Sequence, residues 1–532
     1  MENQSLAQSI AMKRRSFLLG ASGALGLAFT KTAWAQTSGG AGGTLRVAIT
    51  KPAGDLNPHK FAGLWAAQDL MFEPLMNYGP GGEILPCLAS AWSLEDGGKT
   101  LKLTLREDVV FQDGTPFDAS AVKWNFERWI GLDSTSWMNS SRLFKSLDVV
   151  DDHHVTLHFN EPPLGLLQEL TYIRPVRFLS PKSVAADGAY VAPVGTGPWK
   201  QTSASESGSV LERFDAYWGE KPGFATLELK VLPDSRSRMA ALRAGDIDLI
   251  GGAYVSPLTA TEAETLKSAG VDVAIKPGTT TLVLGFNPDH VAALKDPLVR
   301  KAINVGIDRA AISQVLYRGY ADVAANLFAT GVPMSGTRYD VPAIDAQAAR
   351  DLLDKAGWTG DGIRIKDGVP LAMEIIVSEE QIPGSRSVAE VLQSEFRDIG
   401  IDLSIRSVDH ASRHSDIPAR KYDLAFFLTY DAPYDPFGSV VGMFLSTYDN
   451  GVDGKLFMDA DHLDPLVTAA MSASEADMKS SLQTVYDWLH ENAAIAPLLY
   501  VPSIWAHSKR VTGFQGPATE YDLPYEHITL AE

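Results

Sequence analysis

Alternating and helically spaced apolar residues divide the chain into a strand-rich first half and a helix-rich middle. Residues 44–50 and 154–159 alternate apolar with polar side chains, and residues 100–105 with 109–111 predict a further strand or hairpin. Apolar side chains recur at helical spacing over 119–129, just after the turn Asp113-Gly114-Thr115-Pro116, with Asp118 placed as a cap. Residues 226–232 predict a strand, and 236–244 a helix that Gly245 stops. Together these make a mixed α/β unit.

Beyond it, residues 298–307, 309–317, 346–356 and 387–399 predict helices, interleaved with strands at 371–377, 401–405 and 424–429. This is a second α/β unit. Residues 494–505 and 513–528 return to strand and turn signals, as expected of a chain that crosses back into the first unit. Two crossings imply a hinge, and a hinge implies a cleft between two lobes. A length of 532 residues, 45% hydrophobic and 21% charged, exceeds one ordinary core and requires at least two lobes.

The N-terminus has a different character. Lys13-Arg14-Arg15-Ser16-Phe17-Leu18-Leu19 runs into a Leu/Gly/Ala stretch ending near Phe29, followed by Ala33-Trp34-Ala35. Paired arginines, a weakly apolar core and an A-x-A site predict a twin-arginine leader at 1–35, cleaved near Ala35. The apolar stretch is diluted by Gly and Ser and is shorter than the roughly 20 residues of a membrane span. Cleavage removes one acid and four bases and takes the formal charge from -19 to -22. Such an acidic surface repels nucleic acid and anionic lipid headgroups, so no nucleic-acid partner is expected. The one cysteine, Cys87, lies far from the processing site, so neither a lipid anchor nor a disulfide is expected. A soluble, exported chain of this kind is expected in a periplasm.

Catalytic and metal-ligating patterns are weak. His153-His154 sits in an Asp-Asp-His-His turn, without a Cys or third His, and reads as a solvated corner. His410 and His414 could share a helix face, but Asp409, Ser412 and Arg413 around them suggest an exposed helix. No G-x-S-x-G, phosphate-binding loop or H-E-x-x-H is present. The expected catalytic and metal-site sets are therefore empty, and an exported enzyme is the weakest of the functional readings.

Several blocks, in order, carry a resemblance: Leu56-Asn57-Pro58-His59, Phe72-Glu73-Pro74-Leu75, Leu85-Pro86-Cys87-Leu88-Ala89-Ser90-Ala91-Trp92, Glu95-Asp96-Gly97-Gly98-Lys99-Thr100 and Phe111-Gln112-Asp113-Gly114-Thr115-Pro116-Phe117. They continue with Gly195-Thr196-Gly197-Pro198-Trp199, Tyr217-Trp218-Gly219-Glu220-Lys221-Pro222, Gly245-Asp246-Ile247-Asp248 and Ala356-Gly357-Trp358. The chain resembles family 5 solute-binding proteins of ABC transporters, the peptide- and nickel-binding group. That resemblance implies a two-lobed periplasmic binding protein of α/β class, type II, in the large cluster C form. Lobe I is expected at 36–278, with an extra subdomain at roughly 75–200, lobe II at 279–500, and a return to lobe I at 501–532. The ligand cleft would lie between the lobes. The implied partners are the permease subunits of an ABC importer and a small-molecule ligand bound by a monomer.

Two segments point to the nickel and metal-chelate branch: Leu170-Thr171-Tyr172-Ile173-Arg174-Pro175-Val176-Arg177-Phe178 and Tyr430-Asp431-Ala432-Pro433-Tyr434-Asp435-Pro436. By this resemblance Arg174 grips the carboxylates of the organic molecule that chelates the metal, as a planar guanidinium suits. Arg177 is expected as a structural partner. Tyr430 and Tyr434 align with aromatic pocket residues and Thr519 with a pocket hydroxyl. Phe61 stands where relatives have tyrosine, and Trp137 with Met138 would make one wall apolar. The peptide branch carries an Asp-Tyr-x-Asp-Pro arrangement whose first acid meets the peptide amine, and here Ala432 and Pro433 replace that pattern. This chain also departs from nickel relatives: no arginine occurs among Ser134, Thr135 and Ser136, no histidine occurs between Phe437 and Leu456, and no methionine stands near Ala66, where Trp65 could fill the space. No resident cofactor is expected. The expectation is a fully chelated transition metal, carried as part of the ligand, or a metal-free acid; a receptor for peptides or another organic solute is the alternative.

Overall fold

A computed structural model of the chain describes residues 42–60, 62–448, 455–474 and 476–531. The expected leader and its processing site at Ala35 lie outside the described residues, as does Phe61. The alternating segment near the start of the described chain forms the strand Thr44–Ile49. It lies inside a seven-stranded sheet, parallel to Thr226–Val231 on one side and Leu249–Gly251 on the other. The sheet extends antiparallel through Gly208–Arg213 to Trp199–Ser205 at one edge, and through Ser503–His507 to Asp272–Lys276 at the other. Leu45, Val47, Ile49, Leu227 and Leu229 are fully buried or nearly so, which is why a short strand can hold a central place.

A second, antiparallel sheet of four strands forms part of the same lobe, in the order Ala89–Glu95, Thr100–Leu105, His154–Phe159, Phe144–Asp151. Helix Ala119–Trp129 packs beside it, and the Asp118 side chain accepts the backbone N–H of Ala121 at 2.8 Å, as its capping position predicts. Phe126 and Trp129 enter a core shared with Phe111, Phe117 and Phe178. Helix Ser235–Ala244 ends where Gly245 takes φ 78°, a left-handed conformation that favours glycine.

The second lobe is built on six strands, in the order Asp322–Val323, Ile495–Tyr500, Thr281–Phe286, Leu424–Leu428, Ala372–Val377, Asp402–Ser407. Ala372–Val377 and Asp402–Ser407 run parallel, joined by helix Ser385–Asp398, the crossover that parallel pairing needs. Every residue of Thr281–Phe286 is buried. Its run of apolar residues lacks the alternation that marks strands at the lobe surface, so pattern reading passes over it.

The chain passes from the seven-stranded sheet to the six-stranded one between Lys276 and Thr281, and back between Tyr500 and Ser503. The two crossings lie side by side: Val501 N–H donates to the Thr280 carbonyl at 2.9 Å, and a Cβ at Gly278 would collide with the Val501 carbonyl. Two expectations fail locally. Residues 109–111 make only an isolated bridge from Val110 to Pro116, because Phe111 N–H closes a tight loop onto the Thr115 carbonyl. Residues 513–528 form no strand; the ladder resumes only where Thr529–Leu530 pairs with Val511–Thr512, and Pro517 and Pro524 supply no N–H to carry it further. Among the described residues, no helix is long and apolar enough to cross a membrane.

Candidate ligand-binding site

Arg174 lies in the irregular segment that follows helix Leu166–Glu169 in the first lobe, with 3% of its surface exposed. The guanidinium stands over the Trp65 ring, 3.7 Å from its centre, on helix Trp65–Met71. Its Nε donates to Gln68 Oε1 at 2.5 Å and its Nη2 to the Gly63 carbonyl at 2.8 Å. Nη1 donates to no group among the described residues, and no acid pairs with Arg174 there. Burial lowers its pKa to about 10, while Tyr434 and Tyr521 favour the charged form.

Three residues on, Arg177 has the opposite surroundings. Its Nη2 meets Asp69 Oδ1 at 2.9 Å, and its Nη1 donates to the carbonyls of Thr171 and Tyr172 at 3.0 and 2.8 Å. It is a structural pair that holds the segment carrying Arg174 against helix Trp65–Met71.

Aromatic rings from both lobes close around Arg174. Tyr434, on the loop that follows strand Leu424–Leu428, packs at 4.4 Å on Tyr172, and its hydroxyl accepts the Arg174 backbone N–H at 3.3 Å. Trp65, Tyr521 and Trp137 lie 6.0, 5.3 and 6.2 Å from the same ring. Trp137 is half-buried, lies nearly parallel to Tyr172 at 5.8 Å, and donates its indole N–H to the Ser134 carbonyl. Tyr430 joins through its carbonyl, which accepts the Tyr521 hydroxyl, while its ring lies across helix Phe437–Phe444. That helix carries glycine where the ring rests: a Cβ at Gly442 would come within 2.9 Å of it. Tyr521 in turn stacks on Tyr254 at 4.8 Å.

Four of the residues expected from sequence, Arg174, Tyr434, Tyr430 and Trp137, are thereby brought together. Thr519 is buried close by, but its hydroxyl accepts the Tyr521 backbone N–H at 3.2 Å, so it shapes the turn that presents Tyr521. Trp65, expected to fill the space of a methionine, lies under the guanidinium. Gln68, Tyr172, Tyr254 and Tyr521 were not among the expected binding residues. Only Tyr172 and Tyr521 stand next to expected positions in sequence, and Gln68 carries no signal that would have singled it out.

The same loop places two acids out of water. Asp435 accepts the Ser439 hydroxyl and the Asp431 N–H, and burial raises its pKa to about 6. Asp431, at φ 72°, accepts the Thr279 hydroxyl from the first crossing with Oδ1, while its buried Oδ2 has no partner. Burial, then the nearby Glu520, pushes the Asp431 carboxyl well above the usual range. Gln168 of the first lobe donates to the carbonyls of Pro433 and Asp435 at 2.5 and 2.6 Å, tying this loop to the Arg174 side. No group of three His, Cys, Asp or Glu side chains able to hold a metal occurs among the described residues. His154 is exposed against Asp151, and His410 and His414 stack on the outward side of a short helix.

The arrangement is a cation and an aromatic wall between two lobes, and no metal-holding cluster lies beside it among the described residues. Its family follows from comparison. The model of the bacterial extracellular solute-binding proteins, family 5, matches residues 83–451. The nickel-binding periplasmic protein of Escherichia coli is 29% identical over 487 residues, 89% of this chain and 92% of that protein. An ABC transporter substrate-binding protein from Sinorhizobium meliloti has 61% identity and a TM-score of 0.82, covering 92% of this chain and 100% of that one. NikA from Brucella suis, solved in complex with Fe(III)-EDTA, has 31% identity and a TM-score of 0.84, with the same coverage. Two lobes joined by paired crossings, the family match over most of the chain, and relatives that are substrate-binding proteins of ABC transporters agree: this chain belongs to the family 5 bacterial extracellular solute-binding proteins.

Proposed function

We propose that this protein is a periplasmic receptor for a small acidic ligand, a metal chelate whose carboxylate docks on Arg174, and that as a monomer it delivers the ligand to the permease subunits of an ABC importer. The observation that carries the reading is Arg174: a buried guanidinium held by an amide, a carbonyl and a ring, with no acid paired to it and Nη1 unused among the described residues. Burying an uncompensated charge costs several kcal/mol, and a bound carboxylate offsets that cost by charge-assisted hydrogen bonds. The metal, nickel or another transition metal, travels inside the ligand with its carboxylate-bearing metallophore, because the described wall consists of Trp and Tyr rings and no group of three metal-holding side chains occurs among the described residues. Fe(III)-EDTA in the Brucella relative and nickel in the Escherichia coli relative support a chelate as cargo. The twin-arginine leader, cleaved near Ala35, would deliver the folded protein to that compartment.

The test is calorimetric titration with Fe(III)-EDTA and with nickel plus L-histidine. Wild type should bind at least one of these chelates, and Arg174→Ala should lose about a hundredfold in affinity or more, the scale of a truncated charge pair. The melting temperature of the ligand-free variant should stay close to wild type. Equal affinity in both proteins would remove Arg174 from the site and the chelate reading with it.

A second reading has its own observation. The Oδ2 of Asp431, buried and without a partner among the described residues, suits a ligand that brings an amine as well as a carboxylate, such as a short peptide. A thermal shift with di- to pentapeptides and none with the chelates would favour it, because binding to the native state raises stability.

A further inference from the structure

The reading of Arg174 as anchor leaves open how an arginine with three rotatable methylenes is kept facing the cleft. Gln68 is fully buried on helix Trp65–Met71, and its amide is used at both ends. Nε2 donates to the carbonyls of Asn57 and Ala62 at 3.2 and 3.3 Å. Those two acceptors decide which way the amide points, because only the nitrogen end can face them. The oxygen end is thereby fixed toward Arg174, where it accepts the Nε–H at 2.5 Å. The Gly63 carbonyl holds Nη2 and the Trp65 ring lies under the plane of the group. Two edges and one face of the fork are taken, and the edge that bears Nη1 is left over.

The chemical nature of the partner matters as much as its position. An aspartate or glutamate at the Gln68 oxygen would neutralise the guanidinium, as Asp69 does for Arg177. An amide oxygen gives the hydrogen bond without the charge, so the cation keeps its demand for an anion. We propose that Gln68 is the positioning residue of the anion site, orienting Arg174 through Nε while leaving its charge for the ligand, and so restricting the cleft to ligands that present a carboxylate at that end. The proposal rests on the reading of Arg174 as the ligand anchor.

The experiment is a double-mutant cycle on affinity for Fe(III)-EDTA, or for nickel plus L-histidine should only that bind, in wild type, Gln68→Met, Arg174→Lys and Gln68→Met/Arg174→Lys. Lysine keeps the charge but has no Nε for the amide to hold. Gln68→Met should weaken binding about tenfold beside Arg174 and less than about twofold beside lysine, the signature of a residue acting through its partner. Equal losses in both backgrounds would overturn the positioning role, because damage to the helix or to the Asn57 and Ala62 carbonyls would act whichever residue stood at 174. Arg174→Ala in the same series separates the two ideas. If that variant binds as wild type, the anchor itself is refuted, and if it loses binding while the cycle is additive, only the role of Gln68 falls. Should Gln68→Met fail to fold, Gln68→Asn, which keeps the amide and withdraws it by one methylene, takes its place in the same cycle with the same two outcomes.

Discussion

The cleft around Arg174 and the interior of the second lobe around Arg309 hold equally buried arginines, each with 3% of its surface exposed and each lowered by burial to about 10. Neither has an acid hydrogen-bonded to it. Arg309 nevertheless spends all three nitrogens: Nε on the Pro497 carbonyl at 2.7 Å, Nη1 on the Asn304 carbonyl at 3.0 Å and Nη2 on Asn304 Oδ1 at 2.9 Å. Arg300, beside it, does the same with the carbonyls of Leu294, Lys295, Asn492 and Ala493. Arg174 leaves one nitrogen over. Burial is alike in the two places, but the Glu395 carboxylate favours the Arg309 cation whereas only tyrosines favour that of Arg174. Arg177 also has a buried Nε without a partner among the described residues and yet pairs with Asp69, so it is the unused nitrogen together with the missing acid that marks a cation awaiting a ligand.

That comparison can be broken by truncation. Arg309→Ala leaves the half-buried Pro497 and Asn304 oxygens without their donor and removes a buried side chain, and should destabilise the protein by about 4 kcal/mol, read by urea unfolding. A loss below about 1 kcal/mol would show that carbonyl-bound arginines of the second lobe are dispensable and would dissolve the contrast. Arg177→Ala leaves Asp69 without its cation and should cost about 3 kcal/mol. Replacing Asp69 with Asn in the same protein should return part of that loss, since the uncompensated charge is gone. Arg174→Ala, by contrast, should change apo-protein stability by less than about 1 kcal/mol, because removing an unpaired buried charge offsets the two hydrogen bonds lost.

The smallest expected effect concerns pH. Glu395 is raised to about 7, chiefly by burial, and its Oε2 has no partner. The folded protein therefore holds a proton there that the unfolded chain releases near the ordinary glutamate value of 4.5. Its stabilising contribution is present below that value and is lost as pH rises toward 7. Glu395→Gln should remove this component, giving a melting temperature that falls less between pH 5 and pH 8. An unchanged slope would place the pH dependence with Glu73 and Glu169, which burial also raises to about 7.

Periodicity found the elements whose two faces differ. Helices Ala119–Trp129, Ser235–Ala244 and Ser385–Asp398 and strands Thr44–Ile49 and His154–Phe159 all fell where apolar spacing put them. Thr281–Phe286, buried throughout, escaped because no polar face marks it, and residues 513–528 were overcalled because turn-rich sequence imitates short strands. At the candidate site, the R-P-x-R-F resemblance named Arg174, and the Tyr430 to Pro436 block named two of its aromatic neighbours. Trp65 was legible only as a substitute for a missing methionine, and Gln68 was invisible as a partner because it comes from a helix about a hundred residues earlier, as its 106-residue separation from Arg174 shows.

By itself the sequence determined a two-lobed α/β binding protein of known family, an acidic chain, and a pair of arginines three residues apart near a cleft. Only the tertiary structure decided which arginine is spent and which is available. The physical reason is that charge compensation belongs to pairs in space: Asp69 reaches Arg177 across 108 residues, whereas Arg174 meets the neutral amide of Gln68 across 106. No local pattern of residues records such a meeting, although the whole energy of the site depends on it.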